Sequence, residues 1–449
     1  MNSPDLREVC RAACEAARRA GADEAEAYAE TNRGVSAKAE QNDIGTAEAE
    51  DSMVLGLRVL VRGAVGFACV NRDEESALAQ AAATAVALAR AGSPEDGVTL
   101  AAPMAVQPID GLWDPAVAAF TVGDAVERCR AVLTAAQQVD PRVSIDGAEV
   151  AFGSASHAVV NSRGVSALES QTQCHVSIFG MAVDGDDVSS FDHDVDASVT
   201  AAALAGAGLG RAFGQRLLSL LGARAYDGPA QPRVVLAPEV LWEILLGPLL
   251  ASLDGDAVRQ GKSRLGDKLG QQVAHAMVSV LDDPLAPGDV AAEAFDREGR
   301  PHRATPIVES GRLLTLLHNT DSARRLKQDP TGHAAGTARS LPGIGVTRVL
   351  VAPGQASLED LLAEAGDGLY VGRFSGSVDE VSGDFSGVAK CSFRVRGGKL
   401  VEPLKETTVA GNAFDVLKDL LALTVKRKVL PGQVLPHALV SGVDVAGAG

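Results

Sequence analysis

Eight histidines, six cysteines and a few acidic clusters are the side chains of this chain with the chemistry to hold a metal or act as a nucleophile. Two histidines one helical turn apart, with a Glu beside the first, would bind zinc and activate its water. No HExxH or HExxxH occurs. The cysteines stand at positions 10, 14, 69, 129, 174 and 391, and no pair has CxxC spacing. Cys10 and Cys14 share a helix face, as core thiols do, and Cys391 alternates along a strand, most simply buried. The acidic run Asp184 to Asp196 fails calcium-loop spacing: Val188 and Ser189 occupy the fifth and sixth positions, and no closing Glu follows. It reads as a solvated loop. His333 lies in a glycine-rich loop that would let a peptide backbone come close, yet it has no Ser, Cys or Asp constellation beside it. His318 opens the run His-Asn-Thr-Asp-Ser, in which Asp321 or Thr320 is placed to cap a helix. Asp384 either positions a strand end or is a turn carboxylate. Gly343-Ile344-Gly345 follows no strand that opens a helix, so it is not a nucleotide loop.

Composition narrows the classes further. The formal net charge of −17 excludes a concentrated basic surface for nucleic acid. Aromatics make up only 4% of the chain, so the core must be built from Ala, Val, Leu and Gly. No basic segment leads into an apolar run at the N-terminus, and no apolar segment is long enough to span a bilayer. The expectation is a cytoplasmic, reduced protein with no membrane partner.

The elements that must position these residues are predicted as follows. Residues 4–20 form an amphipathic helix, with Ser3 as cap, Pro4 in the first turn and Gly21 as its stop. Alternation over 24–70 predicts strands at AEAYAE, VSAKAE, GLRVLVRG and AVGFACV. A helix from Asp73 to about Gly92, a second from Thr121 to Gln138, and a run of short strands through 147–185 follow. Residues 197–223 return to helix. The stretch Tyr226 to Pro232 is the clearest linker, which divides the chain into domains 1–225 and 226–449. Beyond it come the strand RVVLAP, an apolar helix from Val240 to Leu253, several strands, and a helix from Leu358 to Ala365. A strand from Phe385 to Arg396 then buries Ala389, Cys391, Phe393 and Val395 and exposes Lys390, Ser392, Arg394 and Arg396. It turns at Gly397-Gly398 and returns over Leu400 to Leu404, before a helix from Ala413 to Leu421. Strands and helices segregate in runs, which predicts α+β domains. The first would pack helices on an antiparallel sheet; the second would be mainly antiparallel β, barrel- or sandwich-like, with helices.

The wording of several of these stretches is more specific than their periodicity. SGDFSG followed by a strand, RGGKLVEPLKETTVAGN and a helix resembles the C-terminal signature of the TldD/PmbA family, in its TldE (PmbA) branch. The resemblance extends through PEVLWEILLGPLLASLDGDAVRQGKS, LGDKLGQQ, DREGRPHRATPIVESGRLL and HNTDSARRLK, and more weakly to GADEAEAYAE and GLRVLVRGAVGFACV. Catalytic members of the family carry HExxxH on the helix after the linker. With Leu253-Asp254-Gly255-Asp256 as anchor, those positions here are Leu246, Gly247 and Ala251; a one-residue shift puts Gly247, Pro248 and Ser252 there. None is a metal ligand or a base. The resemblance therefore implies a subunit without catalytic or metal-binding residues, paired with a zinc-bearing TldD-like partner in a heterodimer that cleaves unfolded or leader-bearing peptides. It implies that Leu245 to Leu253 packs near the partner or the substrate cleft. His318, Asn319, His333, Asp384 and Phe385 are the cleft candidates. The alternative is a stand-alone or homodimeric peptide-binding module without hydrolysis, and a weaker third is an enzyme built on His318, His333 and nearby acids.

Overall fold

The computed structural model describes residues 5–95 and 98–447. Apolar and polar residues alternate over longer runs than the expected short strands. β1 (Glu24–Glu40) joins AEAYAE and VSAKAE into one strand, and β2 (Asp43–Val61) is its antiparallel partner. Asn32-Arg33-Gly34 resembles a turn but continues the ladder on both edges, Gly34 opposing Glu50 on one side and Gly153 on the other. Its glycine serves close approach: a Cβ there would lie 2.8 Å from the carbonyl oxygen of Phe152. True reversals come where two successive residues take positive φ, at Gln41-Asn42 and at Arg62-Gly63, which leads into β3 (Ala64–Val70).

The expected Ser3 cap and Pro4 lie outside the described residues. Asp5 caps α1 (Leu6–Ala20) by accepting from the Arg7 N–H, and Gly21 closes the helix in the left-handed region. α2 (Glu75–Ala91) follows β3, and α3 (Val122–Gln137) starts at Thr121 with a capping box to Asp124. The run of short strands expected over 147–185 is two long ones, β4 (Val143–Asn161) and β5 (Ser166–Asp184), since only Asn161 to Gly164 turns the chain. The acidic run after them is not a solvated loop. It holds the two-residue β6 (Asp187–Val188) and β7 (Asp192–Ser198), and Asp192 is buried against Arg216 and Arg373. α4 (Gly206–Leu218) ends this half.

The first sheet runs β3-β2-β1-β4-β5, with β6 and β7 both on β5. All four helices cover one face. α1 and α2 sit over Ala25, Ala27 and Ala29, and α3 and α4 over Ala37, Ala39 and the far ends of β4 and β5. Small side chains permit this contact, as the composition predicts. The backbone of β3 at Gly66 lies so close to α2 that a Cβ would collide with the Ala85 carbonyl.

The other half holds a ten-stranded mixed sheet and a four-stranded antiparallel one. β8 (Val234–Leu236) sits in the larger sheet between Gln433–Val440 and Gly368–Val371, parallel to the latter. The smaller sheet orders Arg373–Val378, Asp384–Lys390, Thr407–Asn412 and Asp444–Gly447. The single strand expected from Phe385 to Arg396 breaks at Cys391, whose φ is 47°. Residues before the break join the small sheet, and Ser392–Arg396 joins the large one. Arg394, expected on a wet face, is 1% exposed: it pairs with Asp367 and lies 4.7 Å over the Tyr226 ring. The expected hairpin turn at Gly397-Gly398 is present, both residues at positive φ. The helix after it is shorter than expected, Ala413–Lys418, because Leu420 already begins the strand Leu420–Leu430.

The apolar helix after the linker has three parts: Pro238–Val240, a π-helical stretch Leu241–Leu246, and Gly247–Ala251. Pro248 explains the wide turn. It has no N–H to donate, and its ring would crowd the carbonyl of Ile244 in a regular α-helix. The Gly247 N–H instead reaches the Trp242 carbonyl, five residues back.

Candidate functional site

The sheet face without helices meets the second half of the chain, and the two ends of this contact differ. At one end it is sealed by buried charge. Arg58 bonds Glu26 and Glu298 at 2.9 Å each, and Arg297 reaches Glu26 at 3.3 Å with its guanidinium 3.9 Å over the Tyr28 ring. Glu298 also accepts from the Thr320 N–H at 2.8 Å, and Glu169 accepts from the Ala294 N–H at 3.1 Å. Burial pushes the Glu169 carboxyl up to about 7, and it also raises Asp321, which lies 3.7 Å from Arg58.

Toward the other end the halves part. β1, β2, β4 and β5 first line a polar trough of about 260 Å³, with Asn32, Ser36, Lys38, Glu149 and Gln173 on its walls. At His175 the trough passes into a cleft of about 930 Å³. One wall is the end of the first sheet: His175 and Phe179 of β5, Phe191, and His193, Val195 and Ala197 of β7. Cross-strand pairing sets this wall, with His175 opposite Ala197 and Phe179 opposite His193. The other wall comes from the π-helical region (Glu239, Trp242, Glu243), from Arg373, Phe374 and Ser375, from Lys390, and from the reversal at Leu430 and Pro431.

Ion pairs stiffen both walls. Glu239 bonds Arg373 at 2.6 Å and Lys428 at 2.7 Å; Arg373 also bonds Asp192 at 3.2 Å, which is held in turn by Arg216. Burial opposes ionisation of Glu239, yet Arg373 and Lys428 hold its carboxyl down to about 2. Burial lowers His193, reinforced by Arg373, which disfavours the charged ring. Glu243 makes no hydrogen bond or ion pair among the described residues, and burial raises its carboxyl. The Cys391 thiol is pushed up to about 12 by burial and donates to the Phe191 carbonyl, so it is no nucleophile. The cleft thus presents exposed rings, compensated ion pairs and one carboxylate, that of Glu243, without a partner among the described residues.

The residues that the resemblance sets against HExxxH, Leu246, Gly247 and Ala251, carry no side chain able to ligate zinc. Leu246 is buried in the core, while Gly247 and Ala251 face a separate hollow of about 490 Å³ beside Trp242, Leu317 and Val381. Among the described residues no group of three His, Cys, Asp or Glu side chains is placed to hold a metal ion.

The residues singled out from sequence lie elsewhere. His318 and His333 are brought together by Thr331, whose hydroxyl accepts from the His318 N–H at 2.8 Å and lies 2.9 Å from His333 Nδ1. His333 Nε2 is 3.2 Å from Asp282, which also accepts from the Thr347 and Arg348 amides. Both histidines are buried. Asn319, rather than Asp321 or Thr320, caps the helix Thr320–Leu326 by accepting from the Ser322 N–H. Asp321 reaches across to the Thr99 N–H and Arg58 instead. Asp384 is exposed and accepts from Asn412 at 2.8 Å. Phe385 is buried, 6.3 Å edge-on behind Phe374. None of the five lines the cleft, and Phe385 touches it only through Phe374. The cleft residues that sequence reasoning missed are Phe179, Phe191, His193, Trp242, Glu243 and Arg373. One signal was available: in a chain so poor in aromatics, rings on strands of otherwise small residues stand out.

A family model described as the PmbA/TldA metallopeptidase C-terminal domain matches residues 229–447, and one for domain 1 of the same metallopeptidases matches residues 25–89. The chain belongs to the PmbA/TldD family. A Haemophilus influenzae relative named metalloprotease PmbA homolog is 29% identical over 424 residues, covering 93% of this chain and 91% of its own. A Methanothermobacter thermautotrophicus metalloprotease is 31% identical over 214 residues, where the match spans 46% of that protein, less than half its length. Among solved structures, TldE from Thermococcus kodakarensis superposes with a TM-score of 0.88 at 21% identity, covering 98% of this chain and all of that one. That likeness is one of fold: the α+β architecture of the PmbA/TldD family is shared across almost the whole chain.

Proposed function

We propose that this chain is the non-catalytic, TldE-like subunit of a TldD/TldE-type zinc metallopeptidase, and that its cleft forms part of the chamber in which unfolded or leader-bearing peptides are processed. The observation that carries this reading is the helical stretch 238–251. It borders the cleft through Trp242 and Glu243, and the resemblance sets Leu246, Gly247 and Ala251 against the ligands and base of catalytic members. Relatives named metalloproteases and the fold shared with a TldE support it. In this reading the partner supplies the zinc and the hydrolytic water. This chain supplies a wall, and the strand Arg373–Val378 offers an extended peptide an unpaired edge. Among the described residues that strand pairs only with Asp384–Lys390.

The test is co-expression with a homologue from the same genome that carries HExxxH. The pair is expected to co-purify with about one zinc per heterodimer and to cleave unfolded peptide, while the lone chain does neither. Stoichiometric zinc or peptidase activity in the lone chain would overturn the proposal. A second reading, a stand-alone or homodimeric peptide-binding module, draws on the fact that both cleft walls come from one chain. Peptide binding by the chain in the absence of any HExxxH homologue in its genome would favour it.

A further inference from the structure

We infer that the wide cleft is an aromatic-selective subsite, one that takes an extended peptide segment by a Phe, Tyr or Trp side chain; this rests on the reading of the cleft as a peptide site. The chain has 11 Phe, 3 Tyr and 2 Trp, and four of these rings, Phe179, Phe191, Trp242 and Phe374, line this one cleft. Phe179 and Phe191 stack at 5.1 Å with 9° between ring planes, and they remain 42% and 51% exposed. Folding does not require them there. The cores are built from small aliphatic side chains, and two large rings left in water forgo the burial that would stabilise the fold. A cluster of this kind in a concave site is what an apolar ligand group covers.

The occupant is set by the backbone beside the rings. Among the described residues none pairs with the outer edge of Arg373–Val378, and Ser375, Gly376 and Ser377 are exposed along it. An added strand would lie there, with alternate side chains on one face. Phe374 and Ser375 belong to both the edge and the cleft, so an added strand places one such side chain among the rings. Charge does not set the preference. Arg373 is compensated by Glu239 and Asp192, and the remaining Glu243 and Lys390 have opposite signs. Selectivity therefore falls to ring packing, for which offset and edge-on geometries are favourable.

The test uses the full chain carrying Trp113→Phe, which leaves Trp242 as the sole indole; Trp113 is exposed and outside the cleft. Disordered Ser/Gly/Lys/Glu peptides of about a dozen residues, with Phe or Ala at one central position, are titrated against Trp242 fluorescence. The Phe peptide is expected to bind about tenfold more tightly, a difference of ~1.4 kcal/mol. In the Phe179→Ala/Phe191→Ala double variant that preference should vanish while the Ala peptide binds as before. Equal affinity for both peptides, or a preference that survives the double variant, overturns the aromatic subsite and leaves the peptide cleft standing. Failure of both peptides to bind overturns the two together.

Discussion

The same face of the first sheet is used in opposite ways at its two ends. Around Glu26, Arg58 and Ala167 it is pressed against residues 294–338 and held by buried ions. Around His175, Phe179 and β7 it stands apart from its counterpart and leaves a cleft lined by rings. The first end holds charge where a core would normally hold hydrocarbon; the second holds hydrocarbon where a surface would normally hold charge. Each inversion costs stability locally, which assigns them different roles. The sealed end sets the angle between the halves, and the open end uses that angle to keep a cleft.

The strongest way to break the comparison is to remove the cation of the sealed end. Arg58→Met leaves Glu26 and Glu298 without their shared partner, and a loss of about 3–5 kcal/mol is expected in denaturant unfolding. Retention of full stability would mean the network does not join the halves. A steric version follows. Gly56 packs so tightly on the Ala338 carbonyl that Gly56→Ala forces sheet and loop apart, with an expected cost of about 1–3 kcal/mol and an earlier thermal transition.

The third test is titration. Burial raises the Glu169 carboxyl from 4.5 to about 7, so the folded state binds this proton more tightly than the unfolded chain. The associated stability is complete below 4.5 and is lost as pH rises toward 7. Asp296, Asp321 and Glu30 are raised by burial as well and tilt the profile in the same sense. Glu169→Gln should flatten the stability profile across that window by roughly 1–2 kcal/mol, partial exposure being allowed for. An unchanged slope would remove Glu169 from the account. The smallest effect sharpens the contrast: Phe179→Ala/Phe191→Ala should lower stability by only about 1 kcal/mol, because both rings are already about half exposed. A large loss there would make the rings part of the core rather than of a site.

Much of the fold was legible in local patterns. The helix that starts at Thr121, the turn at Gly397-Gly398 and the α+β class all follow from neighbours in sequence. Strands were expected too short: AEAYAE and VSAKAE are one strand, and Gly34 between them permits strand-to-strand approach rather than a turn. The candidate site was less legible. His318 and His333 attracted notice because of their residue type, and tertiary contacts employ them in tying loops to Thr331 and Asp282. Phe191 and Asp192 were passed over because the acidic run around them matched a solvated loop.

What the sequence alone determined is therefore what depends on short range: family resemblance, alternation, caps and turns. What only the tertiary structure decided is which polar strand residues meet water and which meet an ion from far along the chain. Arg394 alternates as a surface residue would and is buried because Asp367 and Tyr226 close over it; Arg58 is buried because Glu298 arrives from 240 residues away. The physical reason is that a strand's period fixes which side chains share a face, while the environment of that face is set by whatever packs against it.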